Sequence, residues 1–183
     1  MTTASKVTLA RLLLIPFFLF FMLTDIVPYS HYIALAFFLL AATTDGVDGY
    51  IARKYNQVTD FGKFIDPLAD KILVISALIC MVQWGWISAI AVIIIVAREF
   101  MVTGLRLAAV CAGKVIAAGA SGKIKTVVQI VVIALVLFFQ EFAAVSQAIS
   151  IGLTCLVWLM VLITAYSGIE YMVKNWEVLH FDQ

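Results

Sequence analysis

The chain has 183 residues, 64% of them hydrophobic and 13% charged, with a mean hydropathy of +1.11. A soluble globular domain is about 45–50% apolar and roughly 25% charged, so this composition excludes an ordinary soluble fold and predicts an integral membrane protein. The formal net charge of +1 gives no reason to expect a nucleic-acid partner.

The apolar runs are continuous and rich in Leu, Ile, Phe and Ala, without the alternation of a membrane barrel, so they read as spanning helices. A polar start, Thr2 to Thr8, is expected to form a short juxtamembrane segment. No small-residue cleavage site follows the first apolar run, which therefore reads as a retained helix over 10–25. "TDIVPYSH", with Pro28, separates it from a second helix over 31–54. The polar "KYNQVT" leads to a third over 60–84, in which Pro67 predicts a kink. "QWGW", with Gly85, precedes a fourth over 86–111. "GASG", with Gly119 and Gly122, precedes a fifth over 123–142, and Glu141 ends that run before a sixth over 146–174. Each is near the roughly 20 residues a bilayer needs. The expectation is one all-α membrane domain of six spans over 1–183. Cys80, Cys111 and Cys155 are too scattered for a disulfide framework or a thiolate metal site and read as small apolar packing residues.

With six antiparallel spans, all twelve Lys and Arg residues fall toward one side. The opposite turns carry only Asp25, His31 and Glu141. The positive-inside rule makes the basic side cytoplasmic, with both termini facing it. A multi-pass protein of the cytoplasmic (inner) membrane is expected.

Several charges lie inside spans. Arg98 follows only twelve apolar residues of the fourth helix, about 18 Å at 1.5 Å per residue. Asp45 is similarly placed, about 21 Å beyond His31. Facing lipid they would be costly, so they are expected to line a protein-walled cavity in the cytoplasmic half. Asp45, Asp48, Gly49 and Ala52 share one face of the second helix, with Arg53 at its edge. Gly62, Asp66 and Asp70 form a stripe on the third. A short turn joins the two, so four carboxylates can face one another. They cannot all stay ionised in a partly dry site without cations. Hard oxygen ligands suit Mg²⁺ or Mn²⁺, two ions for this many carboxylates, and not zinc. The competing reading pairs some of them with Arg53, Lys63 or Lys71, and makes Asp60 an N-cap.

The spacing Asp45-x-x-Asp48-Gly49-x-x-Ala52-Arg53, eight residues, Gly62-x-x-x-Asp66-x-x-x-Asp70 resembles the signature of the CDP-alcohol phosphotransferases, with every position filled. "REFMVTGLRLAA" (98–109), "VIAAGASGKIKTVVQ" (115–129) and "KVTLARLLLIP" (6–16) are similar to segments of the phosphatidylglycerophosphate synthase group of that family. The resemblance implies transfer of a phosphatidyl group from CDP-diacylglycerol to sn-glycerol 3-phosphate, giving phosphatidylglycerophosphate and CMP. It implies Asp45, Asp48 and Asp66 as principal metal ligands, with Asp70 completing the site and acting as general base. Gly49, Arg53, Thr59 and Thr8 would touch the donor. The acyl tails would remain in membrane lipid, and a homodimer is implied by the same analogy.

An acceptor that brings its own phosphate needs a cationic pocket. Arg98, Arg106, Lys123 and Lys125 are the unspent cations of the cytoplasmic half. Glu99, Thr103 and Arg106 share a helix face, which suggests that Glu99 positions Arg106. Snorkelling at a helix start is the alternative for Lys123 and Lys125. Gln129 reads equally as a polar neighbour of Lys125 or as a satisfied core residue. Trp84, Trp86, Trp176 and Tyr171 read as interfacial belt residues. His31 and His180 fall at opposite ends and form no site. Two other classes share parts of the pattern. An intramembrane prenyltransferase also sets Asp-rich motifs on a diphosphate, but would release pyrophosphate in place of CMP. A cation transporter would also bury Asp and Arg, but no inverted repeat is evident.

Overall fold

The computed structural model describes residues 3–24, 27–54, 60–111, 113, 116 and 119–176, and among them the side chains of 10–24, 27–44, 68, 69, 71–111, 113, 116 and 119–176. Six helices follow in order: α1 (Thr3–Leu23), α2 (Ser30–Lys54), α3 (Asp60–Gln83), α4 (Ala89–Cys111), α5 (Ala120–Ala143) and α6 (Gln147–Lys174). No strand occurs among the described residues. By length and composition α5 and α6 are apolar enough to cross a membrane. Shorter apolar stretches run over Ala10–Leu23, Ser30–Thr44 and Lys71–Gln83.

Helix ends depart from the sequence reading where local chemistry overrides hydropathy. The polar start from Thr3 is continuous with α1, because nothing between Thr3 and Ala10 breaks a helix. α4 begins at Ala89, after the expected start at 86. Gly85 takes a positive φ of 71°, and the Ile90 N–H donates to Ser88 Oγ at 3.3 Å, an N-cap contact that fixes the later start. α5 begins earlier than expected, at Ala120, and takes Gly122 into its first turn.

α1 packs on α2 and α3, α5 packs on α6 and α2, and α4 packs on α6 and α3. One core, built on Phe18, Met22, Phe38, Leu73, Leu78, Met81, Ile95, Ile133, Leu137 and Met160, joins all six. Phe17 stacks on Phe37 with ring centroids 5.8 Å apart, which sets the register of α1 against α2. At the end of the bundle opposite the Asp motif, His31 meets Trp84 and Trp86 edge to face, and the Trp84 Nε1–H donates to Met22 O at 2.9 Å. His31 therefore serves packing. The outward faces are apolar, with Ile93, Phe100, Leu107, Leu162 and Ile169 all exposed, which suits a lipid surround. Cys80 is buried as expected, whereas Cys111 and Cys155 lie on these outward faces. Lipid accommodates a thiol as well as a core does, so an apolar setting in the sequence does not imply burial.

Candidate active site

The carboxylate motif occupies the last turns of α2 and the first turns of α3. Asp45, Asp48, Gly49 and Arg53 are helical positions of α2, and Asp60, Asp66, Pro67 and Asp70 are helical positions of α3. Thr8 belongs to α1. The side chains of all nine lie outside the described residues, as do Thr59 and His180 altogether. The backbone still supports the register argument. The spacings 45/48 and 66/70 each set two Asp on one face of their helix, and α2 packs against α3. The donor set is all hard oxygen, which fits Mg²⁺ or Mn²⁺. Among the residues with described side chains, no other group of three or more His, Cys, Asp or Glu comes together.

Beside this motif lies a cavity of about 490 Å³ walled by α2, α3, α4 and α5. Arg98, Arg106, Lys123 and Lys125 all line it. So do three residues the sequence reading did not place there: Lys71, the neighbour of Asp70 in the chain, with Thr103 and Glu99. Ala42, Val74, Ile95 and Val102 supply apolar wall.

The polar lining is cross-braced. Glu99 Oε1 accepts from Arg98 Nη1 at 3.2 Å and from Lys125 Nζ. Lys125 Nζ also donates to Gln129 Oε1 at 3.3 Å, and Gln129 Nε2 donates to Thr164 Oγ1 at 3.3 Å. Arg98 Nη2 donates to Ser167 Oγ at 2.8 Å. Lys71 Nζ donates to Thr103 Oγ1, and Thr103 Oγ1 donates to Glu99 O at 2.7 Å, which ties α3 to α4. Arg98, Glu99 and Lys125 are each more than nine-tenths buried, so their charges need partners. These contacts use only part of the donor capacity of Arg98. Among the described residues Arg98 Nε has no hydrogen-bond partner.

Several sequence expectations change here. Glu99 pairs with Arg98 and Lys125, not with Arg106. Positions 99 and 106 are about 10.5 Å apart along the helix, beyond direct contact. Arg106 is held by Tyr171 instead: Arg106 Nε donates to Tyr171 Oη at 3.1 Å, and the guanidinium lies 5.3 Å from the ring centroid. Tyr171 is thus a buried partner of Arg106 and not a belt residue. Trp176, by contrast, is exposed at the basic end of the bundle. Lys125 is buried, which removes snorkelling as its explanation, whereas Lys123 stays exposed at the start of α5. Gln129 is the polar neighbour of Lys125. The partners on α6 were missed, although Thr164, Ser167 and Tyr171 recur at i, i+3 and i+7 in the second half of a mainly apolar helix. That polar stripe is the signal that marks them.

What the cavity can do follows from its chemistry. Clustered guanidinium and ammonium donors on an apolar floor, with Glu99 the one carboxylate of the lining among the described residues, suit a small multiply charged anion. Comparison with known proteins agrees with an anionic, phosphate-bearing substrate. The sequence model of the CDP-alcohol phosphatidyltransferase family matches residues 1–171. The chain is 46% identical to a Bacillus subtilis protein named CDP-diacylglycerol–glycerol-3-phosphate 3-phosphatidyltransferase, over 96% of this chain and 95% of that one. Proteins of the same name from Haemophilus influenzae and Rickettsia bellii are 34% and 33% identical, over 90% of this chain and 88% and 90% of theirs. A match of this extent, on a chain whose α2 and α3 carry the complete Asp signature, makes it a member of the CDP-alcohol phosphatidyltransferase family.

Proposed function

We propose that this protein transfers the phosphatidyl group of CDP-diacylglycerol to sn-glycerol 3-phosphate. The acceptor hydroxyl forms a new bond to the lipid-side phosphorus, the diphosphate bond to CMP breaks, and phosphatidylglycerophosphate remains in the membrane. Bound Mg²⁺ or Mn²⁺, two ions held by Asp45, Asp48, Asp66 and Asp70, would neutralise the diphosphate charge. Asp70 takes the proton of the attacking hydroxyl. Gly49, Arg53, Thr59 and Thr8 hold the CDP moiety. Arg98, Arg106, Lys123 and Lys125 hold the acceptor's phosphate and set its hydroxyl toward the donor. The chain spans the inner membrane six times with both termini cytoplasmic, and works as a homodimer.

The observation that carries this reading is the cavity between α2, α3, α4 and α5. It gathers five cations, Arg98, Arg106, Lys123, Lys125 and, on its α3 wall, Lys71, adjacent in the chain to Asp70. Its volume of about 490 Å³ falls in the roughly 300–1,000 Å³ range of small-molecule sites. The relatives' names supply the two substrates. The test is purified protein in lipid nanodiscs, given CDP-diacylglycerol and a panel of acceptors, with CMP release followed. Glycerol 3-phosphate is expected to be the best acceptor, with glycerol and serine poor. Arg106→Lys is expected to raise KM for glycerol 3-phosphate about tenfold and leave that for CDP-diacylglycerol nearly unchanged, because an ammonium cannot reproduce the planar fork. A preference for serine, or for phosphatidylglycerol, would overturn the acceptor assignment. Release of pyrophosphate would overturn the reaction class.

A further inference from the structure

α6 contributes no side chain to the wall of the cavity. Yet three of the five cations that line it are held from α6. Thr164 receives Gln129, which receives Lys125. Ser167 receives Arg98, and Tyr171 receives Arg106. Between them Gly168 lies against the stem of Arg98: a Cβ at that position would come within 2.7 Å of Arg98 Cγ and 3.7 Å of its Nε. The contact is with the near end of the side chain, so no rotation of the guanidinium tip relieves it. Thr164, Ser167, Gly168 and Tyr171 follow the i, i+3, i+4, i+7 pattern and form one buried stripe in a 28-residue apolar helix.

We propose that this stripe is a positioning element for the acceptor reaction, with Ser167 and Gly168 fixing the guanidinium of Arg98 for the acceptor's phosphate. The proposal rests on the functional reading above. Arg98 is clamped on three sides: by the backbone at Gly168, by the hydroxyl of Ser167 and by the carboxylate of Glu99. A guanidinium so held gives up little rotamer freedom when an anion binds, which favours tight and oriented binding. Small and hydroxyl residues also let membrane helices approach closely. That packing role alone would not make their loss specific to one substrate.

The experiment is a double-mutant cycle on the full-length protein in nanodiscs, measuring KM separately for each substrate. Ser167→Ala removes one hydrogen bond to a charged group and is expected to raise KM for glycerol 3-phosphate about tenfold, with KM for CDP-diacylglycerol within about twofold of normal. Gly168→Ala is expected to raise it further. In an Arg98→Ala background, Ser167→Ala should add nothing. Should Gly168→Ala fail to fold, the Ser167→Ala arm decides, since it deletes a single oxygen. An unmoved KM for glycerol 3-phosphate in Ser167→Ala, equal shifts for both substrates, or a full additional effect in the Arg98→Ala background would each overturn the positioning role. No CMP release by the unaltered protein with glycerol 3-phosphate would instead sink the functional reading on which the proposal rests.

Discussion

Arg106 and Tyr171 meet in two ways, through the phenolic oxygen and through the ring face. Tyr171→Phe keeps the face and loses the oxygen, whereas Tyr171→Ala loses both. The first is expected to raise KM for glycerol 3-phosphate a few-fold, the second about tenfold or more, if both contacts orient the guanidinium. Steady-state kinetics on the two variants measure this, and identical values would assign the whole effect to the hydroxyl. The Asp motif separates just as sharply. Asp70→Asn keeps size and removes the proposed base, so turnover should fall at least about a hundredfold. Asp60→Asn, at the first position of α3, should be mild. Near-normal turnover in the Asp70→Asn protein would remove the base assignment. At this scale the sequence was legible wherever a residue sat at an unfavourable depth. Arg98 and Arg106 stood out because lipid would punish them, and both line the cavity. Partner choice was not legible. Whether Glu99 meets Arg98, Lys125 or Arg106 depends on how α4, α5 and α6 are rotated about their axes, and hydropathy carries no information on that rotation.

The helices themselves were readable because a bilayer-length apolar run leaves few alternatives, and all six appear within a few residues of their expected ends apart from α1. The errors at the ends have identifiable causes. Ser88 is a cap signal that was present in the sequence and outweighed there by the apolar Trp86 and Ile87. Gly122 was read as a breaker but is helical and lies beside Arg98, where a Cβ would come to 3.9 Å from Nη2. A Cβ there would make only ordinary contact, so the glycine marks neither a turn nor a forced close approach. The weight of α4 in this assembly can be tested at Glu99. Glu99→Gln leaves Arg98 and Lys125 buried together without the carboxylate that bridges them. Breaking a buried ion pair costs about 3–5 kcal/mol, less here because the group borders an open cavity. The unfolding temperature in nanodiscs should fall, and inorganic phosphate should restore part of it by supplying the missing negative charge. An unchanged unfolding temperature would show that Glu99 is not what balances the two cations.

For the molecule as a whole, the cavity and the Asp motif lie at the same ends of the helices as the Lys and Arg residues. They use the end of α2, the start of α3, the end of α4 and the start of α5. The aromatic cluster of His31, Trp84 and Trp86 takes the other end. The charge asymmetry expected to set insertion and the candidate site therefore fall at one end of the bundle, and the proposed orientation can be tested through it. The native thiols must first be replaced, because Cys111 and Cys155 are exposed and Cys111 closes α4 beside the turn to be probed. In that background, Gln57→Cys and Ala117→Cys should react with a membrane-impermeant thiol reagent only from the cytoplasmic face. Val145→Cys, in the turn between α5 and α6 where the native side chain is 91% exposed, should react only from the opposite face, as should Pro28→Cys. The expectation follows from the placement of all twelve Lys and Arg toward one side. Labelling of Gln57→Cys from outside the cell would put the proposed donor and acceptor sites on the face away from the cytoplasm and overturn the proposed orientation. Labelling of Val145→Cys and Gln57→Cys from the same face would mean an even number of crossings between them, where α3, α4 and α5 make three, and would break the six-span arrangement itself.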